Sequence, residues 1–235
     1  AGRMPGSNSL EDFWKNITSG VDLVQEAGSD RWPARVEPSA RKRWGGFIDD
    51  VDCFDAAFFR ISPREAKLID PHQRLFLETA WAAIENSGHR PSELAGTKTG
   101  VFVGGGSLDF YELLQRSGHT KDTHVITGVA HTVLPNRVSF LLDLTGPSVF
   151  VDTACSSSLV AVNRALASIR SGESCMAIAG GVNLLLSDSL YDVLERSEFL
   201  SPDGRCHTFD RQANGYVRSE GVGAIFLKPL HLFRA

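Results

Sequence analysis

An α/β fold is what this 235-residue chain predicts, on three observations. Segments of helical period alternate with short apolar or β-branched runs along most of its length. Capping residues open the helical segments, as Ser9, Ser62 and Asp70 do. Apolar runs end in glycines or small residues, as Thr99–Val103 ends in Gly104-Gly105-Gly106. With 42% hydrophobic and 22% charged residues, the composition suits one large domain with a core.

The elements follow in order. Ser9-Leu10-Glu11-Asp12 is a capping box for a first helix that turns Phe13, Trp14 and Ile17 inward and stops at Gly20. Val21 to Arg60 lacks periodicity and reads as ordered loop with short strands, burying Trp32, Trp44 and Phe47. Ser62-Pro63-Arg64-Glu65 starts a short helix, and Asp70-Pro71 starts a longer one running to Gly88, with Leu77, Trp81 and Ile84 on one face. Thr99–Val103 is a buried-type strand, followed by a helix from Ser107 to Arg116. Another helix spans Leu134 to Leu142. Ser148–Asp152 is a strand, Cys155–Arg170 a helix, Cys175–Val182 a strand, Ser189–Arg196 a helix, and Val222–Lys228 a closing strand.

Several function classes are disfavoured. Net charge is −4, which makes no case for nucleic acid, and the run Arg41-Lys42-Arg43 reads as a solvated loop. No apolar stretch approaches the roughly 20 residues that cross a bilayer, and the N-terminus has no apolar signal region, so no membrane partner is expected. Cys53, Cys155, Cys175 and Cys206 show no metal-ligand spacing, which predicts no metal and fits a reduced, cytoplasmic setting. The three glycines after the first long strand would need a further glycine at Asp109 to bind a dinucleotide, so they read as a tight turn and no cofactor is expected there.

One cysteine has a distinctive context. In Gly146-Pro147-Ser148-Val149-Phe150-Val151-Asp152-Thr153-Ala154-Cys155-Ser156-Ser157-Ser158-Leu159 a strand runs into a turn, the cysteine and a helix. A sharp turn lifts a side chain out of a sheet. A helix N-terminus favours thiolate, and its free N–H groups can stabilise an oxyanion. From Ala154 to Asn163 nothing is charged, and Leu159, Val162, Leu166 and Ile169 form an apolar stripe, which predicts a helix covered on all sides. These residues alone leave a buried structural cysteine and a reactive one equally open.

The stretch spelled by Gly146, Val151, Ala154, Cys155, Ser156, Ser157 and Ser158 resembles the active-site signature of β-ketoacyl synthases, in the form found in modular polyketide synthases. The run GGFIDDVDCFDAAFFRISPREAKLIDPHQRLFLE, ending at Glu78, is similar to the matching segment of polyketide ketosynthases served by a separate acyltransferase. Ala179-Gly180-Gly181-Val182-Asn183 and Asn214-Gly215-Tyr216-Val217-Arg218 resemble family stretches too. Asn163, His207 and Ser219 depart from frequent family residues.

The resemblance implies a thiolase-like fold, of which residues 1–235 would be the N-terminal half of a layered α-β-α-β-α architecture, truncated at both ends and beginning after the family's first strand. It implies Cys155 as the catalytic nucleophile. Cys155 would take an acyl chain from the phosphopantetheine of an acyl carrier protein, then pass it to a malonyl-type extender in a decarboxylative Claisen condensation. It also implies a homodimer. The family's two catalytic histidine motifs do not occur here, and His72, His89, His119, His124, His131, His207 and His231 read as surface or structural. The 235 residues alone are therefore expected to be inactive. The alternatives are a non-elongating ketosynthase, a cysteine hydrolase, for which no partnered histidine is visible, and a silent dimerisation or docking scaffold.

Overall fold

The structure, a computed structural model, describes residues 1–29, 31, 32 and 42–232. In chain order the elements are β1 (Gly2–Arg3), α1 (Leu10–Ser19), β2 (Gln25–Glu26), β3 (Trp44–Gly46), α2 (Pro63–Ala66), α3 (Pro71–Asn86), β4 (Thr99–Gly104), α4 (Asp109–Arg116), α5 (His124–Val129) and α6 (Val133–Leu141). Then come β5 (Ser148–Val151), α7 (Ser157–Arg170), β6 (Met176–Asn183), α8 (Ser189–Arg196), β7 (Arg218–Ser219) and β8 (Gly221–Leu227).

Local chemistry sets the helix starts. Ser9 accepts the Asp12 N–H, Ser62 the Glu65 N–H and Asp70 the His72 N–H, and proline occupies the first turn of both α2 and α3. Gly20 closes α1 in the left-handed region, at φ 63°, where it carries no Cβ penalty.

Among the described residues, five strands form the central sheet in the order β1-β8-β6-β4-β5. β4 runs parallel to both β5 and β6, and β8 is antiparallel to β6 and β1. Gly104 pairs with Val151 on one side and with Gly181 on the other, so the C-terminal ends of three parallel strands lie together. A small second sheet joins β2, β3 and β7. Alternation along β4 sorts its side chains between two layers. Val101 and Val103 face the main core with Leu75, Phe76, Leu77 and Ile84 of α3 and Leu134 and Val138 of α6. Phe102 faces the opposite layer with Ala161 and Ala165 of α7.

Four expectations need correction. Trp14 and Ile17 do not turn inward: no residue of α1 is buried, and Trp14 is 67% exposed. The apolar stripe of α7 is not covered either. Its buried residues are Ser157, Ala161, Ala165 and Ser168, whereas Leu159 is 75% exposed. Small side chains face the sheet because they let the helix lie close to it. α7 also begins at Ser157, leaving Cys155 in the turn before it. Finally, Arg43 is not solvated. It is buried, with its guanidinium 2.6 Å from Asp188 and stacked over the Trp32 ring. Lys42 of the same run is exposed and pairs with Glu26, and Arg41 lies outside the described residues.

Trp32 and Phe47 are buried as expected, with the Trp32 ring edge-on to both Phe47 and Tyr191, while Trp44 is half-buried. Helix α5 has no counterpart in the sequence reading, since Val125, Ile126, Thr127 and Gly128 are poor helix formers.

Candidate active site

β5 delivers the chain to the sheet's C-terminal edge, where it reverses within a few residues. Ala154 adopts φ 56°, the left-handed region that a residue with a Cβ enters at a cost. This kink turns the chain from β5 into α7 and leaves Cys155 exposed on its outer side. Local hydrogen bonds hold the kink. The Ala154 N–H donates to Asp152 Oδ1 (3.2 Å), and the Thr153 N–H donates to Ser157 Oγ (2.8 Å). Ser157 Oγ in turn donates to the Ala154 carbonyl (2.6 Å), which also accepts the Ser157 N–H (3.0 Å). Ser156 Oγ donates to the Thr153 carbonyl (2.9 Å). The main-chain polar groups of Thr153 and Ala154 are thus all satisfied within the turn.

Two glycines seat the first turn of α7. A Cβ on Gly104 would lie 2.5 Å from Ser158 N, and one on Gly181 would lie 2.7 Å from Ser158 Cβ. The helix start therefore rests on the bare backbone of β4 and β6. Ser156, the N-cap residue, makes no side-chain cap bond, so no hydroxyl covers the N–H groups of the first turn. A narrow cleft of about 10 Å³ is lined by Gly105, Gly106, Phe150 and His131, and a groove of about 630 Å³ beside the turn runs along Val149, Val151, Thr153 and Val160.

The other sequence-singled residues lie elsewhere. Cys53 and Cys206 are exposed outside helices and strands, with Cys206 Sγ accepting the Val217 N–H, and Cys175 precedes β6 half-buried. His72 is buried: its Nδ1–H donates to Asp70 Oδ1 (2.6 Å) and its Nε2 accepts the Leu184 N–H (3.0 Å), which makes the ring a structural link between α3 and the segment after β6. His131 Nε2–H donates to the Ser107 carbonyl (2.7 Å) with the ring stacked on Phe150, placing it on a cleft wall. No group of three or more histidine, cysteine or acidic side chains among the described residues is arranged to hold a metal ion. No helix among them is long and apolar enough to cross a membrane.

Sequence reasoning missed the parts played by Ser157 and Gly104. A glycine inside an apolar strand is a signal of close backbone approach, and Gly104 carried it.

Comparison with known proteins places this geometry. Residues 1–232 match the model of the β-ketoacyl synthase N-terminal domain. The chain is 52% identical to 6-methylsalicylic acid synthase of Aspergillus niger over 97% of its length, and 42% identical to polyketide synthase PksN of Bacillus subtilis over 98%. It spans only 13% and 4% of those two proteins. Among solved structures, it superposes on the ketosynthase from module 6 of the bacillaene synthase of Bacillus subtilis with a TM-score of 0.87 at 35% identity, covering 98% of this chain and 38% of that one. The oxazolomycin ketosynthase domain OzmH KS7 of Streptomyces albus gives 0.86 at 39%, covering 98% and 42%. The chain belongs to the β-ketoacyl synthase family, within the ketosynthases of polyketide synthases. Its fold is the thiolase-like one, and the helix–sheet–helix layering seen here is the share contributed by the N-terminal domain.

Proposed function

We propose that Cys155 is the acyl-accepting nucleophile of a chain-extending polyketide ketosynthase. The observation that carries this reading is the kink at Ala154, which presents an exposed thiol ahead of the uncapped first turn of α7. In the proposed first stage the Cys155 thiolate attacks the carbonyl carbon of an acyl thioester on the phosphopantetheine of an acyl carrier protein. A new C–S bond forms, the old one breaks, and the carrier thiolate leaves and takes up a proton. N–H groups at the start of α7 are suited to hold the intermediate oxyanion. In the second stage a malonyl-type thioester loses CO₂, its carbanion attacks the acyl–Cys155 carbonyl, and the Cys155 thiolate departs.

The protein needs no metal or nucleotide for either stage in this reading. In the family, groups that assist decarboxylation come from two histidine motifs that do not occur in these 235 residues, so residues 1–235 alone are not expected to condense. The homodimer implied by the resemblance is supported by β5, which among the described residues is an edge strand with β4 as its one neighbour, leaving a backbone edge that a second copy can cover.

The test uses the complete ketosynthase-bearing polypeptide and an acyl thioester, followed by intact mass and peptide mapping. One acyl group on Cys155, absent in Cys155→Ala, is expected. Acylation that survives this substitution, or that maps to Cys53, Cys175 or Cys206, overturns the assignment.

A further inference from the structure

We propose that Ser157 is a positioning residue, whose hydroxyl sets the reactive geometry of Cys155 without touching the substrate. The inference rests on the reading of Cys155 as nucleophile. Ser157 is 95% shielded from solvent, unlike Ser156 beside it, so its hydroxyl is placed for the protein and not for a ligand. That hydroxyl is both donor and acceptor inside one turn: it accepts the Thr153 N–H at 2.8 Å and donates to the Ala154 carbonyl at 2.6 Å. These two bonds bracket the one residue in the turn with a left-handed backbone, Ala154 at φ 56°. A residue held in that region relaxes unless its surroundings over-determine it. Relaxation of Ala154 rotates the peptide plane that leads into Cys155, and with it the Cα–Cβ bond that aims the sulfur.

The surroundings isolate this role. Gly104 and Gly181 fix the position of the first turn of α7 through backbone contact, so loss of the Ser157 hydroxyl leaves the helix seated. What changes is the tie between helix and kink.

The experiment compares wild type with Ser157→Ala, Ser157→Thr and Ser157→Val in the complete ketosynthase-bearing polypeptide. It measures the saturating rate of Cys155 acylation by an acyl thioester, the concentration for half-saturation, and the alkylation of Cys53 and Cys206 in the same samples. Expected for Ser157→Ala is a fall of roughly 10- to 100-fold in the saturating rate, the scale on which small misplacements act. Half-saturation and the other cysteines stay unchanged. The threonine and valine variants have nearly the same shape and differ by the hydroxyl, so they decide the matter even if Ser157→Ala folds poorly: threonine is expected to react at least about tenfold faster than valine. A Ser157→Ala rate equal to wild type, or a threonine variant no faster than valine, overturns the proposal. Absence of acylation at Cys155 in the wild type instead refutes the nucleophile assignment itself.

Discussion

Gly104 and Ser157 meet backbone to backbone: a Cβ added to Gly104 would fall against the Ser157 carbonyl group and 2.5 Å from the next amide nitrogen. A strand and a helix approach this closely only where one of them has no side chain. These neighbours cannot yield, since all three contacting atoms belong to the helix main chain.

Gly104→Ala is therefore expected to push the start of α7 off the sheet. Overpacking of this kind costs about 1–3 kcal/mol. Urea unfolding should show a lower midpoint with an unchanged slope. A variant as stable as wild type would mean that the helix start is not seated on β4.

Ala161 makes the same point one turn further along. It is fully buried, packed in the layer of Phe102 and Ala179. Ala161→Leu should likewise cost about 1–3 kcal/mol, although it adds apolar area. A stabilised variant would place this face of α7 away from the sheet.

Tyr191 carries a prediction for alkaline pH. Burial pushes its phenol up to about 12, and its hydroxyl donates to the Trp44 carbonyl at 3.1 Å. In the unfolded chain the phenol ionises near its ordinary 10.0. The stability it contributes is thus fully present below pH 10 and is lost as pH rises through about 12. Tyr191→Phe should cost about 1 kcal/mol at neutral pH for the lost hydrogen bond. It should also flatten the fall in melting temperature above pH 10, and an unaltered alkaline profile would contradict the assignment.

Asp203 gives the opposite sign. The Ser201 hydroxyl foremost, then His207, Asn214 and the Arg205 N–H, hold its carboxyl far below the usual carboxylate range. Order in the 201–217 loop should therefore persist above the ordinary value of 3.8 and be lost as pH falls further below it. Asp203→Asn is expected to speed amide exchange at Arg205, whose N–H binds Asp203 Oδ1 at 3.2 Å, and to remove that acid dependence. Exchange at Arg205 unchanged by the substitution would show that the loop is ordered by other contacts.

Elements bounded by side-chain chemistry were the most legible in the sequence. Ser9, Ser62 and Asp70 cap their helices as their residue types require, and α8 spans Ser189–Arg196 as its period indicated. Faces were harder to read than positions. Periodicity located an apolar stripe on α7 at Leu159, Val162, Leu166 and Ile169, but it does not say which surface meets the sheet. Close packing chose Ala161 and Ala165 instead, because a short helix–sheet distance satisfies more backbone contact than long side chains allow. Phe13, Trp14 and Ile17 of α1 misled in the same way. At the candidate site the strand, turn and helix were foreseeable. The hydrogen bonds of Ser157 were not, since a serine two residues past a cysteine has no pattern that announces a buried hydroxyl.

The sheet order has a consequence for how the chain reaches this state. β1 pairs with β8, and the main-chain nitrogen of Ala1 donates to the carbonyl of Ala224, 223 residues away. β8 also stands between β1 and β6, so the strand made last among the five joins the first to the rest. During synthesis the parallel core of β4, β5 and β6 can assemble while residues 1–3 still lack a partner. Closing so long a loop carries an entropic cost that only the final contacts offset, and folds with many such contacts form slowly. Residues 1–3 should thus acquire protection late, after the ribosome has released the segment that completes their edge.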